Sequence, residues 1–596
     1  NFKGAVESGL RGTGLNYYAM GSIGGPIIED VLRAKVAVYY NNDNGWFKNY
    51  LGGPVPNAVA VAALGGVVGG LVAGPGTDAF EDFGDAETFL VRPSIYWTPS
   101  DSFEVIVRYE HGDSESDGPA AQNHLSGLGT PNIFFAAPRD SFTFSVNERG
   151  FADLAWDHVS AEARLDLGAG GVFTNIFGWR DFEAVTRSDI DATPLSLFHA
   201  DSTTDQDQIS NEIRYNNRLF DHADLTLGFY YFTQDIAYNE IRNILGPVRF
   251  FNGGGVQDQK TLAGFGQIDF DLSDRFTINF GARYTHEEKD VVISNLLLNS
   301  NLAAVMNPSP ACDVRISGDC TEDFVDSDSW NNFTPKAGFE WRPVDFMNVY
   351  AHWTKGVRSG GYNFRNTSFV FAPGPFDEEK VTAYEVGFKA QPADGKATIN
   401  AAFFVNDISD MQREINLADP LAGVVQVIRN TADATIWGIE LETQISLTDN
   451  FVFLGNIGHT EGNYDTVLFD LSGDGVINDA DLALEIPRLA PWTYGAGFVH
   501  TLPLSDSVNV DTRFNYSHRD ASFYTDNNLG TLNEVEIIDA AIALNFGGAT
   551  LSIYGKNLLN EVNFGGDTQL PGTLGGGTFS PLAKGRRVGV ELQVGF

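Results

Sequence analysis

The residues best placed to do chemistry lie close together in one acidic stretch. Asp470, Ser472, Asp474, Val476, Asn478 and Asp481 occupy positions 1, 3, 5, 7, 9 and 12 of a twelve-residue segment, with Gly475 at position 6 and Ile477 at position 8. Side-chain oxygens at these places, a backbone carbonyl at position 7 and a glycine that lets the chain turn are the requirements of a calcium loop. Seven acidic residues and no Lys or Arg lie between Glu461 and Glu485, so without a cation these side chains repel one another. The alternative is a solvated acidic turn. Calcium bound here would order a loop and catalyse nothing, with the modest affinity of extracellular sites, about 10⁻⁴ to 10⁻³ M.

Cys312 and Cys320 are the only cysteines, in the stretch ACDVRISGDC, and read as one small disulfide formed in an oxidising compartment. No His accompanies them, which weakens a metal pair. The ten His are scattered without i, i+4 pairing, and the sequence holds no G-x-S-x-G, P-loop or G-x-G-x-x-G, so an enzyme is not expected. Lys+Arg 38 against Asp+Glu 78 gives a net charge of −40 and a pI near 4.4, which argues against nucleic acid as a partner. The chain begins with Asn, so either a leader was removed or the sequence starts inside a longer product.

The elements that must carry these loops have a period of two. Phe103, Val105, Val107 and Tyr109 alternate with Glu104, Ile106, Arg108 and Glu110, and Phe276, Ile278, Phe280, Ala282 and Tyr284 with Thr277, Asn279, Gly281, Arg283 and Thr285. The chain ends in the same manner, with Val588, Val590, Leu592, Val594 and Phe596 on one face. Period two means strands with two unlike faces. A soluble sandwich and a membrane barrel share it, and the connections separate them.

Those connections alternate between tight and long. The tight ones run from Gly25–Asp30 through Gly168–Gly171 and Gln391–Lys396 to Phe546–Ala549; the long ones fall around 42–85, 113–150, 185–204, 238–257, 290–328, 360–378, 410–424, 464–487, 518–532 and 560–582. The chain therefore reads as a single all-β domain, residues 1–596: a transmembrane antiparallel barrel of about 22 strands with short periplasmic turns and long extracellular loops. Tyr39, Tyr40, Trp97, Tyr109, Tyr231, Trp341 and Trp353 are candidates for its interfacial girdles. The apolar stretch Pro54 to Gly76 holds four glycines in a core too short to span as a helix, and reads as loop. The calcium-like motif then lies in an extracellular loop, 464–487, and the disulfide in another.

Several segments carry a resemblance. NFKGAVESG at the start, GPIIEDVLRAKVAVYYNNDNGWFKN from Gly25, VYAHWTKGVRSGGYN from Val349, TAYEVGFKA from Thr382, TIWGIELET from Thr435, YGKNLLNEVNF from Tyr554 and the closing GRRVGVELQVGF resemble barrel strands of TonB-dependent outer-membrane receptors, in the same order. The resemblance implies a Gram-negative outer membrane, contact with lipid and lipopolysaccharide, and active import of a bulky nutrient, most commonly a ferric siderophore. It also implies a plug domain that the inner-membrane TonB–ExbB–ExbD system pulls on. Nothing here corresponds to a TonB box or plug, so the plug is cleaved, separately encoded or omitted. The acidic motif is similar to the loops of dockerin-type calcium modules.

Candidate substrate contacts are the loop aromatics Trp46, Phe134, Phe135, Phe250, Phe251, Tyr362, Phe364 and Tyr524, which either stack on a sugar or catecholate or pack loop on loop. Inward-facing Arg108 and Arg283 are further candidates, with mutual neutralisation across strands as the plainer role. The rival functions are import of oligosaccharide, a plugless diffusion porin, and a surface adhesin.

Overall fold

A computed structural model describes residues 1–10, 14–49, 82–124, 137–168, 170–193, 195–244, 249–294, 312–365, 372–392, 395–419, 423–571 and 576–595. The apolar stretch Pro54–Gly76, Phe134, Phe135 and Phe596 lie outside them.

Twenty-two strands pair antiparallel, each with its neighbours in sequence, and the sheet closes on itself where Phe2–Ser8 pairs with Arg587–Val594, Phe2 opposite Val594 and Ser8 opposite Val588. Closure removes every free edge, which is what allows strands to cross a membrane whose interior offers no hydrogen-bond partners. The tight connections expected from the sequence all fall at one rim. Phe546 and Ala549 are joined through Gly547 and Gly548 alone, at φ +52 and +86. A two-residue turn with φ positive at both positions suits glycine and fits the twist of the flanking strands.

The outward face is apolar over a continuous belt. Phe229, Phe280, Tyr284, Val386, Ile439, Ile553 and Val590 stand exposed on it, Phe280 at 52% and Ile553 at 59%. A soluble monomer does not present such a band to water. Trp97 and Trp341 flank the belt beside short turns, and Trp492 lies at the rim with the loops. The inward face is polar: Lys3 pairs with Glu591 at 3.0 Å, and the Gln267 amide donates to Asp269 at 3.0 Å.

The opposite rim departs from the expected boundaries. Segments 185–204, 238–257 and 410–424, expected as loops, are largely strand: Phe198–Leu219, Ala223–Ile244, Arg249–Ser273, Ala397–Asp419 and Gly423–Thr448 run for 22, 22, 25, 23 and 26 residues. A tilted strand crosses the hydrocarbon layer in about 9–11 residues, so roughly half of each hairpin projects beyond it. Both faces of the projecting part meet water, the alternation of apolar and polar residues disappears, and the backbone stays paired.

The buried apolar core of this molecule sits in the loops on that rim. Trp46, Phe47, Phe83, Phe142, Phe144, Val146, Ala192, Leu532, Phe564 and Leu582 pack into one cluster drawn from five connections. A small sheet of Ala121–Gln122, Thr578–Pro581 and Thr568–Gln569 crosses it. Asn49 ties in from the side, exchanging 2.9 Å bonds with the Val146 amide and carbonyl.

Candidate functional site

The barrel mouth is built by loops that the strands hold apart at their bases. Asp567 joins three of them. It is fully buried, accepting hydrogen bonds from Ser580 Oγ at 2.8 Å and Thr531 N–H at 2.6 Å, with His124 Nε2 at 3.5 Å and Arg139 Nη1 at 3.8 Å. Arg139 also donates to the Thr531 carbonyl and lies over the Phe564 ring at 5.6 Å. A single carboxylate thus links the segments 117–150, 520–534 and 557–586.

His124, 1% exposed in this crown, is held neutral. Burial pulls its pKa down from 6.5 to about 4, with Asp567 opposing the shift and Arg139 adding to it. Between about pH 4 and 6.5 the unfolded chain therefore binds more protons than the folded one, so the crown gains stability as pH rises through that window and loses it as pH falls. Amide exchange in the 117–124 segment, corrected for intrinsic rate, is expected to accelerate from pH 6.5 to 4. A flat profile excludes the assignment.

A cavity of 330 Å³ opens beside the crown, between the projecting hairpin of Ala397–Asp419 and Gly423–Thr448 and the connections 468–491 and 520–534; Arg358, Gln412, Arg413, Arg488, Tyr524 and Asn527 line it. The Arg488 guanidinium lies over the Tyr524 ring at 4.5 Å, and Arg413 Nε pairs with Asp526 at 2.7 Å. Arg358 is exposed. Three guanidinium groups and a phenol share this space with the carboxylates of Glu414, Asp470 and Asp526, and Arg413 is spent on Asp526; Arg358, Arg488 and the Tyr524 ring are left as the groups that suit an anionic, aromatic-bearing ligand, because guanidinium forks match carboxylate-type oxygens and aromatic faces alike. Tyr524 was among the sequence candidates. The three arginines were not, since they come from stretches 55 and 75 residues apart (358, 413, 488) and no local motif links them.

The acidic motif borders this cavity through Asp470 and Gly473. Gly475 has φ +93, and Asn478 caps the short helix Asp479–Leu482. Asp470 accepts from the amides of Gly473, Asp474 and Gly475, and Asp481, fully buried, from those of Ser472 and Asn478 at 2.8 Å each. These backbone bonds outweigh the cost of burial and hold the Asp481 carboxyl below its usual pKa. The side chains of Asp470, Asp474 and Asp481 are thus spent on capping the turn. Among the described residues they do not bring three carboxylate oxygens within 4.8 Å of one another.

The remaining candidates whose side chains are described lie apart from the cavity. Trp46 is 4% exposed in the loop core, edge-on to Phe47 and Phe142. Tyr362 and Phe364 pack with Val291, Ile293 and Trp330, and Tyr362 OH donates to Asp326 at 3.1 Å. These rings join loop to strand. Phe250 and Phe251 begin the strand Arg249–Ser273, and their side chains lie outside the described residues. Arg283 faces the lumen between the rings of Tyr230 and Phe265, at 5.2 and 5.6 Å; Arg108 faces it opposite Ser160. Cys312 and Cys320 form a disulfide, and Arg315 between them reaches Asp205 on a neighbouring hairpin at 3.3 Å.

Residues 82–558 match the family described as TonB dependent receptor-like, beta-barrel. A pesticin receptor of Yersinia enterocolitica is 24% identical over 294 residues, 49% of this chain and 36% of that protein; one of Yersinia pestis is 24% identical over 267 residues, 44% and 32%. The chain thus spans about a third of the length of the curated relatives it matches. The crystal structure of the ferric yersiniabactin uptake receptor FyuA of Yersinia pestis covers the whole chain at a TM-score of 0.76 and 16% identity, with 79% of that chain covered. That of the siderophore receptor PiuA of Acinetobacter baumannii covers 99% at 0.72 and 12%, with 81% of that chain covered. The apolar belt, the closed sheet and the family match agree: the chain belongs to the TonB-dependent receptor family, as a 22-stranded barrel of the outer membrane.

Proposed function

We propose that this barrel imports a ferric siderophore, working with a plug domain and the TonB–ExbB–ExbD system and catalysing no reaction of its own. The observation that carries the reading is the cavity at the mouth, where Arg358, Arg488 and Tyr524 gather beside the Arg413–Asp526 pair and the carboxylates of Glu414 and Asp470, on a protein whose net charge is −40. Long-range repulsion slows the approach of an anion, so a local guanidinium cluster has its use in holding one that has arrived. The names of the relatives point the same way: ferric yersiniabactin uptake for one, siderophore receptor for another.

Quenching of intrinsic fluorescence in detergent-purified protein tests it, with ferric catecholate, ferric hydroxamate and maltodextrin series as ligands. Saturable quenching by a ferric complex is expected, weakened about tenfold by Arg488→Ala, since a hydrogen bond to a charged group is worth about 1.5–3 kcal/mol. Binding of maltodextrin in place of every ferric complex overturns the cargo assignment.

The loop Asp470–Asp481 we read as taking Ca²⁺ from the medium, through Asp470, Ser472, Asp474, the Val476 carbonyl, Asn478 and Asp481. The ligand types, the glycine at position 6 and the following helical turn support this; the carboxylates have to exchange backbone N–H partners for the ion. Millimolar Ca²⁺ is expected to slow amide exchange across 468–491, and Asp470→Ala with Asp474→Ala to abolish that protection. Identical exchange in Ca²⁺ and in chelator identifies a plain capped turn.

A further inference from the structure

On the outward face, above the apolar belt, one histidine is oriented as metal-ligating histidines are. His518 is the last but one residue of the strand Val508–Arg519, on the same face as Phe514 and Tyr516, with its side chain 5% exposed beneath the stacked ring of Tyr494 at 4.2 Å. Its Nε2 lies 2.8 Å from Asp520 Oδ1. Asp520 is itself fixed, its other oxygen accepting the Trp492 amide at 3.1 Å and its own amide donating to the Trp492 carbonyl at 3.0 Å. Nε2 is therefore the donor to this carboxylate, which leaves Nδ1 as the nitrogen that can offer a lone pair.

That lone pair points at two carboxylates. Glu534 Oε1 is 3.7 Å and Glu536 Oε1 3.9 Å from Nδ1, and all three atoms lie within 4.8 Å of one another. Nδ1 is buried, and among the described residues it meets no hydrogen-bond partner. A proton there does not resolve the arrangement, because both distances exceed the roughly 2.7–3.2 Å of an N–H···O bond. A cation between the three atoms does. Bonds of about 2.0–2.2 Å from one imidazole nitrogen and two carboxylate oxygens need only a small inward movement of Glu534 and Glu536, whose side chains are 61% and 46% exposed. A histidine whose far nitrogen donates to a fixed carboxylate while its near nitrogen binds is the usual outer support of a metal site.

We propose that His518, Glu534 and Glu536 bind a divalent transition-metal ion of the zinc type, oriented by Asp520. The nitrogen donor selects this class over calcium or magnesium. Asp520 and Glu534 flank the connection 520–534, so the ion staples the two ends of the loop that carries Tyr524 and Asp526 to the mouth cavity. The other group of this kind, Asp189, Asp191 and His199, is more fully spent: its carboxylates already accept the amides of Asn147, Ala192, Thr193 and Phe198, whereas here Glu536 Oε1 accepts a side-chain hydroxyl, that of Tyr516 at 3.0 Å, and keeps a second lone pair for an ion.

The test is a titration of chelator-stripped, detergent-purified protein with Zn²⁺, followed by calorimetry and by amide exchange over 520–534. One ion per chain is expected, with slower exchange in that segment. Glu534→Gln is expected to weaken binding about 10–100-fold and Glu534→Gln with Glu536→Gln to remove it, while Glu485→Gln, in the neighbouring loop, leaves it unchanged. Both substituted glutamates are exposed, so the variants keep the fold, and unchanged thermal unfolding of the barrel verifies it. The proposal is overturned if the stripped protein takes up no Zn²⁺ saturably, or if the double variant binds as the parent does.

Discussion

Phe280→Arg is expected to cost the folded barrel about 2–4 kcal/mol, the penalty of an arginine facing acyl chains near mid-membrane, whereas Gln267→Arg on the adjoining strand is expected to cost almost nothing. The two positions differ in the face they occupy. Phe280 stands outward, 52% exposed, in register with Ile268. Gln267, one residue before Ile268, faces the lumen beside Asp269, where a guanidinium gains a charged partner in water. In a soluble sandwich the expectation reverses, because the apolar face is then the interior and the polar one the surface. Urea titration of both variants refolded into bilayers, read by the mobility of unheated samples on a gel, separates the cases. Equal loss in the two variants, or greater loss from Gln267→Arg, removes lipid as the solvent of the outward face.

That contrast also explains how far the fold was legible before the structure. Wherever a strand separates lipid from lumen, the two solvents impose opposite demands on alternate residues, and the alternation of Phe276 to Tyr284 displays the result. The short turns were readable for a similar reason: few residues besides glycine fit Gly547 and Gly548, at φ +52 and +86. The signal fails where the two solvents become one. In the stretch Asp201–Gln208 both faces are wet, composition turns uniformly polar, and the strand Phe198–Leu219 continues unannounced. The contents of the mouth were hidden by distance along the chain. Arg358, Arg413 and Arg488 become neighbours only when loops fold over the rim, and His518 meets Glu536 through strand register, in a sequence where histidines show no spacing of their own. Trp46 illustrates the limit from the other side: a tryptophan in a loop suggests ligand contact, and five connections converging on it make it core.

The convergence gives the crown a cohesion separate from that of the barrel, and Asp567→Ala is expected to remove most of it. Deleting this fully buried carboxylate leaves the Thr531 amide and the Ser580 hydroxyl without their shared acceptor, and takes from Arg139 and His124 the carboxylate that lies 3.8 and 3.5 Å from them. A hydrogen bond to a charged group is worth about 1.5–3 kcal/mol, and two are lost here. Asp567→Asn retains an acceptor for Ser580 or Thr531 and loses less. The loss falls on loops, since the 22-strand ladder is closed without them, so amide exchange in 117–150, 520–534 and 557–586 is expected to rise together while the barrel's heat resistance stays at the parental value. Thr531 adjoins Gly530, whose carbonyl accepts the Tyr524 amide at 2.8 Å. The loosened crown therefore releases one wall of the cavity, and affinity for a ferric complex falls although Asp567 does not line it. Exchange that rises in 557–586 alone identifies Asp567 as a local cap and not as the joint of three loops.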